Sequence, residues 1–263
     1  MPVTLAKHHV EVNLIFFVIP AYNEQENIGA LLENIRALGF ESGDYRVIVV
    51  DDGSRDRTVE IVQAVSSKVP VQVVSHPVNQ GVGAVFRTGF DAALKLAAPS
   101  DVIVTMEADN TSDLAILPEM LRKVSSEADL VLASCYAPGG RIEGTNVWRK
   151  VLSWGANLLL VLAFPIQGVK TYSSFYRAYK AGMLAQAIQA YDGKMIEQPG
   201  FVCMVEVLVK MHRLGVKITE VPMVLRINMR KGASKMKVSK TIRDYIGFIL
   251  TDLRQRGRQL DRK

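Results

Sequence analysis

An alternation of apolar runs and amphipathic stretches fills the first half of the chain. Continuous apolar runs typical of buried parallel strands cover residues 13–20, 45–50, 71–74 and 101–106. Helical spacing of apolar residues follows each of the first three runs, so a strand–loop–helix unit repeats about every thirty residues. This order predicts an α/β domain with a mostly parallel sheet flanked by helices.

Acidic residues follow three of these predicted strands. Glu24 comes after the first strand, Asp52 after the second, and Glu107 and Asp109 after the fourth. In sheets of this kind ligands bind beyond the carboxyl ends of the strands, so we expect the acidic loops to share one site. Residues 107 and 109 are two apart and point the same way in an extended segment. Their carboxylates suit Mg²⁺ or Mn²⁺, although such a pair alone is far more often part of a solvated loop.

The composition is that of a folded domain. The chain has 263 residues, of which 49% are hydrophobic and 22% are charged. No apolar run reaches the roughly 18 residues of a membrane span, and residues 1–13 do not resemble a signal peptide. Cys135 and Cys203 lie far apart and give no metal-binding spacing. We therefore expect a cytoplasmic protein with free thiols.

Two later segments are amphipathic. Residues 147–166 predict an apolar helix with Trp148 and Trp154, and a buried or half-buried helix is favoured over one on a membrane surface. Residues 242–253 form an apolar stripe that could pack on the domain or rest on lipid. The net charge is +6, and the basic stretch 226–263 suits phosphate, nucleic acid or an acidic membrane as partner, with its last residues a solvated tail. We divide the chain into a catalytic domain, 1–240, and a basic amphipathic helix and tail, 241–263.

Four motifs occur together in a characteristic order. They are Pro20-Ala21-Tyr22-Asn23-Glu24, Asp51-Asp52-Gly53-Ser54, Asn79-x-Gly81-x-Gly83-Ala84 and Glu107-Ala108-Asp109. The set resembles inverting family 2 glycosyltransferases, whose GT-A fold is a Rossmann-like, mostly parallel α/β sheet flanked by helices. Residues 149–157, 173–179, 220–222 and 232–235 resemble dolichyl- or polyprenyl-phosphate mannose synthases within that family.

The resemblance implies a role for individual residues. Residues expected to line the base and ribose of a nucleotide sugar are Pro20, Tyr22, Glu24, Val50 and Asp52. Glu107 and Asp109 would be the catalytic pair that holds Mg²⁺ or Mn²⁺ on the diphosphate, with Ala108 and Thr111 nearby. Arg230 and Lys235 would contact phosphate from a mobile loop.

The implied reaction moves a hexose from GDP-mannose or a UDP-sugar to a polyprenyl or dolichyl phosphate, with inversion. Its partners would be the nucleotide sugar, the lipid phosphate and the cytoplasmic face of a membrane reached peripherally, with no nucleic acid. Because a phosphate monoester is largely dianionic at neutral pH, such an acceptor needs no strong protein base. Glu206 becomes a candidate base only if the acceptor is a hydroxyl.

Several positions depart from the mannose-synthase pattern. Glu107 replaces an aspartate, and most of the others, Cys135, Thr171, Phe175 and Met229, lie in the half expected to bind the acceptor. Two alternatives therefore remain open. The enzyme could act on a soluble or glycan hydroxyl, or the chain could be a nucleotide-sugar-binding protein with impaired catalysis. A dehydrogenase is disfavoured because no G-x-G-x-x-G follows the first strand.

Overall fold

A computed structural model describes residues 14–41 and 43–260, with side chains described through Arg254. The expected absence of a leader in residues 1–13 lies outside the described residues. Of the last eight residues, expected to be a solvated tail, 256–260 belong to a helix and 261–263 lie outside the described residues.

The described chain alternates strands and helices in the predicted order through its first half. The strands are β1 Ile15–Ala21, β2 Tyr45–Asp51, β3 Val71–Ser75, β4 Val102–Thr105, β5 Leu130–Ser134, β6 Arg141–Glu143, β7 Arg177–Lys180, β8 Ile218–Pro222 and β9 Val224–Arg226. The helices are α1 Ile28–Arg36, α2 Thr58–Ala64, α3 Val82–Leu94, α4 Leu117–Ser126, α5 Val147–Ala163, α6 Ala181–Ala190, α7 Cys203–Arg213 and α8 Val238–Leu260.

Seven strands form one sheet in the order β3-β2-β1-β4-β7-β5-β8. The pairs β1–β2, β1–β4, β2–β3 and β5–β8 are parallel, and β7 runs antiparallel between β4 and β5. The prediction of a mostly parallel α/β sheet flanked by helices is confirmed. The sequence pattern assigns neither β7 nor α6. It places residues 223–227 as a continuation of β8, whereas β9 pairs with β6 in a separate two-stranded sheet.

Alternate residues of the central strands enter two different cores. Phe17 and Ile19 of β1 pack with apolar residues of α1 and α4 on one face of the sheet. Phe16 and Val18 pack on the other face, with residues of α3, α6, α7 and α8. Because both faces are covered, the central strands are apolar throughout, which is why they read as continuous runs.

Helix α3 lies unusually close to the sheet at Gly89. A Cβ built there would lie 2.3 Å from a methyl carbon of Val18, so the contact leaves no room for a side chain. At the start of α3 a Cβ on Gly83 would lie 2.0 Å from the carbonyl oxygen of Gln198. These two contacts set the height of the Asn79–Gly83 loop above the sheet edge.

Helix α5 is less buried than the sequence predicts. Its buried residues are Asn157 and Leu160, and Trp148 and Leu162 are 78% and 72% exposed. Helix α8 packs on the domain through Tyr245 and Ile249, which join one of the two cores. No helix in the described part of the chain is long and apolar enough to cross a membrane.

Candidate active site

The loops after β1 and β2 hold each other at the carboxyl edge of the sheet. Asn23 adopts a left-handed backbone conformation (φ 52°), which asparagine tolerates better than most residues. Its backbone N–H donates to Ser54 Oγ at 2.8 Å, and its side-chain oxygen accepts from the Arg55 N–H at 2.8 Å. The Glu24 N–H donates to Thr58 Oγ1 at 2.8 Å. This interlocking fixes where Glu24 stands.

The Glu24 carboxylate is buried and paired on both oxygens. Oε2 accepts from Asn27 Nδ2 at 2.7 Å, and Oε1 accepts from Lys235 Nζ at 2.8 Å. Pro20 and Tyr22, which precede it in the chain, are partly exposed, as a surface that contacts a planar ligand would be. Residue 24 therefore receives a cation from a segment 211 residues further along the chain.

Asp52 is turned toward the glycine-bearing loop. Its Oδ1 contacts His76 Nδ1 at 2.8 Å and accepts from the Gln80 N–H at 2.9 Å, and its Oδ2 accepts from the Gly81 N–H at 2.9 Å. The neighbouring Val50 is wholly buried in the core. Asp52 thus shapes the edge by holding the loop before α3, and Val50 supports the same edge from beneath.

The loop after β4 carries the acidic pair. Asp109 is buried, and its Oδ1 accepts from Thr111 Oγ1 at 2.7 Å and from the Thr111 N–H at 3.1 Å. Its Oδ2 accepts from Arg230 Nε at 2.6 Å and also from Arg230 Nη2. Glu107 Oε2 accepts from Ser112 Oγ at 3.0 Å, and Ala108 between the two acids is buried.

Desolvation and the neighbouring Asp109 raise the pKa of Glu107 above the usual range of a glutamate. Two carboxylates that repel each other in a partly dry site would be relieved by a cation, and their hard oxygens suit Mg²⁺ or Mn²⁺. Among the described residues no group of three or more His, Cys, Asp or Glu side chains could hold a metal. The residues therefore fit a divalent ion whose remaining ligands come from substrate phosphates and water.

Two asparagines and one serine, Asn27, Asn110 and Ser112, complete the site. None of them is among the site residues expected from the sequence. Asn27 donates from Nδ2 to the Lys231 carbonyl at 3.0 Å and accepts from the Lys231 N–H at 2.9 Å. Asn110, with φ of 61°, donates from Nδ2 to the Asn27 carbonyl at 2.9 Å. These two residues tie the loops after β1 and β4 and the 227–237 segment to one another, and Ser112 bonds Glu107 within the loop after β4. The sequence signals only a helix start at Asn27.

The segment 227–237 thus spans the predicted site. It runs from a short 3-10 helix at Ile227–Met229 to the start of α8. Arg230 reaches Asp109, Lys231 is fixed on Asn27, and Lys235 reaches Glu24 and the Asn23 carbonyl, the latter at 2.8 Å. The structure brings Glu24, Asp109, Arg230 and Lys235 to one edge, as the sequence predicts for the acidic loops.

Glu206 is engaged elsewhere in the protein. It is buried, its Oε2 accepts from the N–H groups of Glu197 and Gln198 at 2.9 Å each, and its Oε1 pairs with Lys210 Nζ at 2.7 Å. These bonds hold the loop before α7 against α7 itself. Glu206 therefore has a structural role, with both carboxylate oxygens engaged.

The residues that depart from the mannose-synthase pattern do not lie together. Glu107 belongs to the acidic pair, and Met229, 51% exposed, lies in the segment 227–237 rather than with Cys135, Thr171 and Phe175. Burial, with smaller contributions from Glu220 and Glu107, raises the pKa of Cys135 to about 12. Thr171 is buried with its Oγ1 2.6 Å from Ser134 Oγ, and Phe175 stacks on Phe201 with ring centroids 5.6 Å apart. These side chains are packed into the protein.

A cavity of about 220 Å³ opens beside α5. It is lined by Tyr136, Trp154, Asn157, Leu158, Val161, Val169 and Lys170. Tyr136 Oη lies 2.7 Å from Ser153 Oγ, which joins the loop after β5 to the exposed helix. The lining of this cavity combines apolar side chains with the polar groups of Tyr136, Asn157 and Lys170.

Comparison with known proteins matches residues 16–187 to the model of the glycosyl transferase family 2 domain. The chain is 32% identical over 246 residues to a dolichol-phosphate mannosyltransferase of Pyrococcus furiosus, covering 93% of this chain but 65% of that protein. It is 32% identical over 225 residues to an undecaprenyl-phosphate mannosyltransferase of Micrococcus luteus, covering 84% of this chain and 87% of the relative. A polyprenol monophosphomannose synthase of Mycolicibacterium smegmatis is 29% identical over 247 residues, with 93% and 88% covered.

Among solved structures, the chain resembles glucosyl-3-phosphoglycerate synthase from Mycobacterium tuberculosis. One complex of that protein with Mn²⁺, UDP-glucose and phosphoglyceric acid superposes with a TM-score of 0.66 at 21% identity, covering 91% of this chain and 79% of the other. A second, with Mn²⁺, UDP and glucosyl-3-phosphoglycerate, gives a TM-score of 0.64 at 20% identity and the same coverage. At this identity the likeness establishes the fold.

Proposed function

The chain belongs to glycosyl transferase family 2, and on that premise we propose that it transfers a hexose from a nucleoside-diphosphate sugar to a polyprenyl or dolichyl phosphate. The donor would be GDP-mannose or a UDP-sugar, and the transfer would invert the anomeric carbon. The observation that carries this proposal is the edge at which buried carboxylates from two loops, Glu24 and Asp109, each face a cation from the 227–237 segment. Such a site suits a ligand that combines hydroxyl groups with a diphosphate.

On the donor side each residue has a distinct task. Pro20 and Tyr22 offer partly exposed surface to the base, and Glu24 would accept from a ribose hydroxyl through the oxygen that faces Lys235 in this structure. Val50 and Asp52 hold the shape of the edge on which the nucleotide lies. Arg230 and Lys235 would donate to the diphosphate oxygens, for which a guanidinium and an ammonium are suited.

Glu107 and Asp109 would hold Mg²⁺ or Mn²⁺, with Ala108 and Thr111 shaping their loop. A divalent ion bound there neutralises charge on the diphosphate as the bond from C1 to the leaving oxygen breaks. Thr111 occupies Oδ1 of Asp109 from within the same loop, whereas Oδ2 faces the 227–237 segment and accepts from Arg230. Ser112 orients Glu107 by the bond to its Oε2.

The acceptor proposal rests on the relatives and on the chemistry of phosphate. All three curated relatives described above act, by name, on polyprenyl-type lipid phosphates. A phosphate oxygen is a competent nucleophile at neutral pH without a protein base. The absence of a free carboxylate at Glu206, whose oxygens are all engaged, agrees with such an acceptor.

A lipid acceptor must be reached at a membrane, and α5 and α8 offer a suitable surface. Five apolar residues at helical spacing form one exposed stripe on α5: Val147, Val151, Trp154, Leu158 and Leu162. On α8 the exposed stripe is Ile246, Leu250 and Leu253. The two helices are neighbours, with the rings of Phe164 and Phe248 5.5 Å apart. Exposed Arg149, Lys150 and Arg243 supply positive charge suited to anionic headgroups.

The test is transfer by purified protein with Mn²⁺, radiolabelled GDP-mannose or UDP-hexose, and a short polyprenyl phosphate in detergent. We expect a lipid-linked monosaccharide, and none with the matching polyprenol, which lacks the phosphate. Replacing Mn²⁺ by EDTA should remove the product, and repeating with Mg²⁺ compares the two ions.

The alternatives give different products in the same assay. Transfer to a sugar or small-molecule hydroxyl, with none to the lipid phosphate, would identify a soluble-acceptor enzyme. Tight nucleotide-sugar binding without turnover on any acceptor would identify a binding protein with impaired catalysis.

A further inference from the structure

The segment 227–237 places one cation on each of two carboxylates in the donor site. Arg230 contacts Oδ2 of Asp109 through two nitrogens, and Lys235 contacts Oε1 of Glu24 at 2.8 Å. The side chain of Arg230 is 21% exposed and that of Asp109 is 8% exposed, so this pair is largely shielded from water. The carboxylate proposed to hold the divalent ion is thus already neutralised by the protein.

We propose that Arg230 is a resident cation that exchanges places with the divalent ion. In the empty enzyme its guanidinium occupies Oδ2 of Asp109. When the ion arrives, Arg230 leaves that oxygen and turns to the diphosphate. This inference rests on the proposed function, because it assumes that Asp109 is a ligand of the ion.

The geometry makes simultaneous occupation unfavourable. Oδ1 of Asp109 accepts two hydrogen bonds from Thr111, so Oδ2 is the oxygen left for a new ligand. Arg230 already places two donors on Oδ2. A divalent ion at the same oxygen would lie within a few ångströms of the guanidinium, and like charges at that distance in a partly dry site repel strongly. One of the two cations has to leave.

The segment is built so that Arg230 can leave without going far. The backbone of the next residue, Lys231, is fixed to the Asn27 side chain by two hydrogen bonds of 2.9 and 3.0 Å. Gly232 follows in a left-handed conformation with φ of 79°, which glycine adopts without strain. When Arg230 releases Asp109, this anchor keeps the guanidinium beside the site. The backbone just before the anchor then loses its contact with the Asp109 loop and is freer to move.

The exchange predicts opposite effects on two ligands. Removing the guanidinium should strengthen binding of the ion alone, because a competitor has gone. It should weaken binding of the nucleoside diphosphate in the presence of the ion, because a phosphate contact has gone. A residue that only supports the fold would weaken both, so the pair of signs separates the two roles.

The experiment measures Mn²⁺ binding to the free enzyme by the loss of the electron paramagnetic resonance signal of the aqueous ion. We expect Arg230→Gln to bind Mn²⁺ about tenfold more tightly than the native chain. Arg230→Lys keeps the charge and should stay near the native affinity. The matched control is Arg226→Gln. This arginine lies in the same stretch but pairs with Asp113 at 2.9 Å, so its loss should leave Mn²⁺ affinity unchanged.

GDP and UDP are then titrated by calorimetry at saturating Mn²⁺, where we expect Arg230→Gln to bind them several-fold more weakly. Hydrogen exchange of the native protein provides a readout without any substitution. Amides near Arg230 should exchange faster with Mn²⁺ alone and slower again when the nucleoside diphosphate is added. Thermal unfolding of each variant shows whether it is folded.

Three results would overturn the inference. Unchanged or weaker Mn²⁺ binding by a folded Arg230→Gln variant would show that Arg230 does not compete with the ion. Unchanged amide hydrogen exchange in residues 227–237 on addition of Mn²⁺ would show that Arg230 does not move away from Asp109. If Mn²⁺ binding is present but is the same in Asp109→Asn, the ion lies elsewhere, and the proposed metal site fails with the exchange. Mn²⁺ binding that needs Asp109 but ignores Arg230 refutes the exchange alone.

Discussion

The carboxyl edge of the sheet, where we propose that the donor binds, and the outer surface of α5 differ in how many of their side chains have partners within the protein. At the donor edge Glu24, Asp52 and Asp109 are each paired through both carboxylate oxygens by other groups of the protein. On α5, Trp148 and Leu162 stand 78% and 72% exposed with no apolar cover within the described chain. The first region is organised before its ligand arrives, and the second needs an external apolar partner to bury its surface.

The largest effect is expected from a substitution at the carboxyl edge of the sheet. Asp109→Ala should lower kcat/KM with Mn²⁺ by about 10³-fold or more, since the site loses both an ion ligand and the partner of Arg230. Glu107→Asp should retain transfer, because it keeps a carboxylate at the same position. The matched control is Asp113→Ala, which removes a carboxylate of the same loop that pairs with Arg226. Native activity in Asp109→Ala would show that this pair is not the ion site.

A second prediction concerns Cys135, which follows β5 in the half of the protein that we propose binds the acceptor. Burial raises the pKa of Cys135 and of Cys203 to about 12 each, so at pH 8 the reactive thiolate is scarce. Alkylation by iodoacetamide should be roughly 10²-fold slower than that of the urea-unfolded chain. Because the thiolate fraction grows with pH, the rate should keep rising with pH for as long as the protein stays folded. Fast labelling of Cys135 at pH 8 would mean that this half is more open than the structure has it.

The smallest effect is expected from a substitution on the exposed apolar surface of α5. Trp148→Ser should weaken binding to anionic vesicles by about tenfold, as expected for a large apolar side chain that leaves lipid. Leu96→Ser is the control, since Leu96 is 60% exposed but lies at the end of α3 rather than on α5 or α8. Co-sedimentation with vesicles measures both. Equal loss in the two variants, or none in Trp148→Ser, would assign the surface another partner.

The same contrast explains what could be predicted from the sequence. Strands β1, β2 and β4 are covered on both faces, so their apolar runs are continuous and their positions are correctly predicted. Acidic residues after such strands are then brought to one edge by topology alone. The placement of the acidic residues at one edge could be predicted because local pattern and parallel topology agree there.

Strand β7 could not be predicted in this way. It has four residues, and its first, Arg177, is wholly buried with its guanidinium held by the carbonyls of Tyr172 and Ser174 at 2.8 and 2.7 Å. A buried arginine held by nearby backbone carbonyls at two of its three nitrogens carries no strand signal. The contact between Arg230 and Asp109 is equally invisible in the sequence, because it joins residues 121 positions apart and depends on the path of 227–237.

The position of β7 also has a consequence for the order in which the protein is assembled during synthesis. Strands β4 and β5 are complete by residue 134, yet they do not pair with each other, because β7 at 177–180 lies between them. Until that later segment leaves the ribosome, both strands carry a bare apolar edge able to pair with another chain. The first four strands can form a sheet of their own, whereas joining β5 and β8 to it must wait for β7. A chain interrupted before residue 177 would therefore be prone to aggregate.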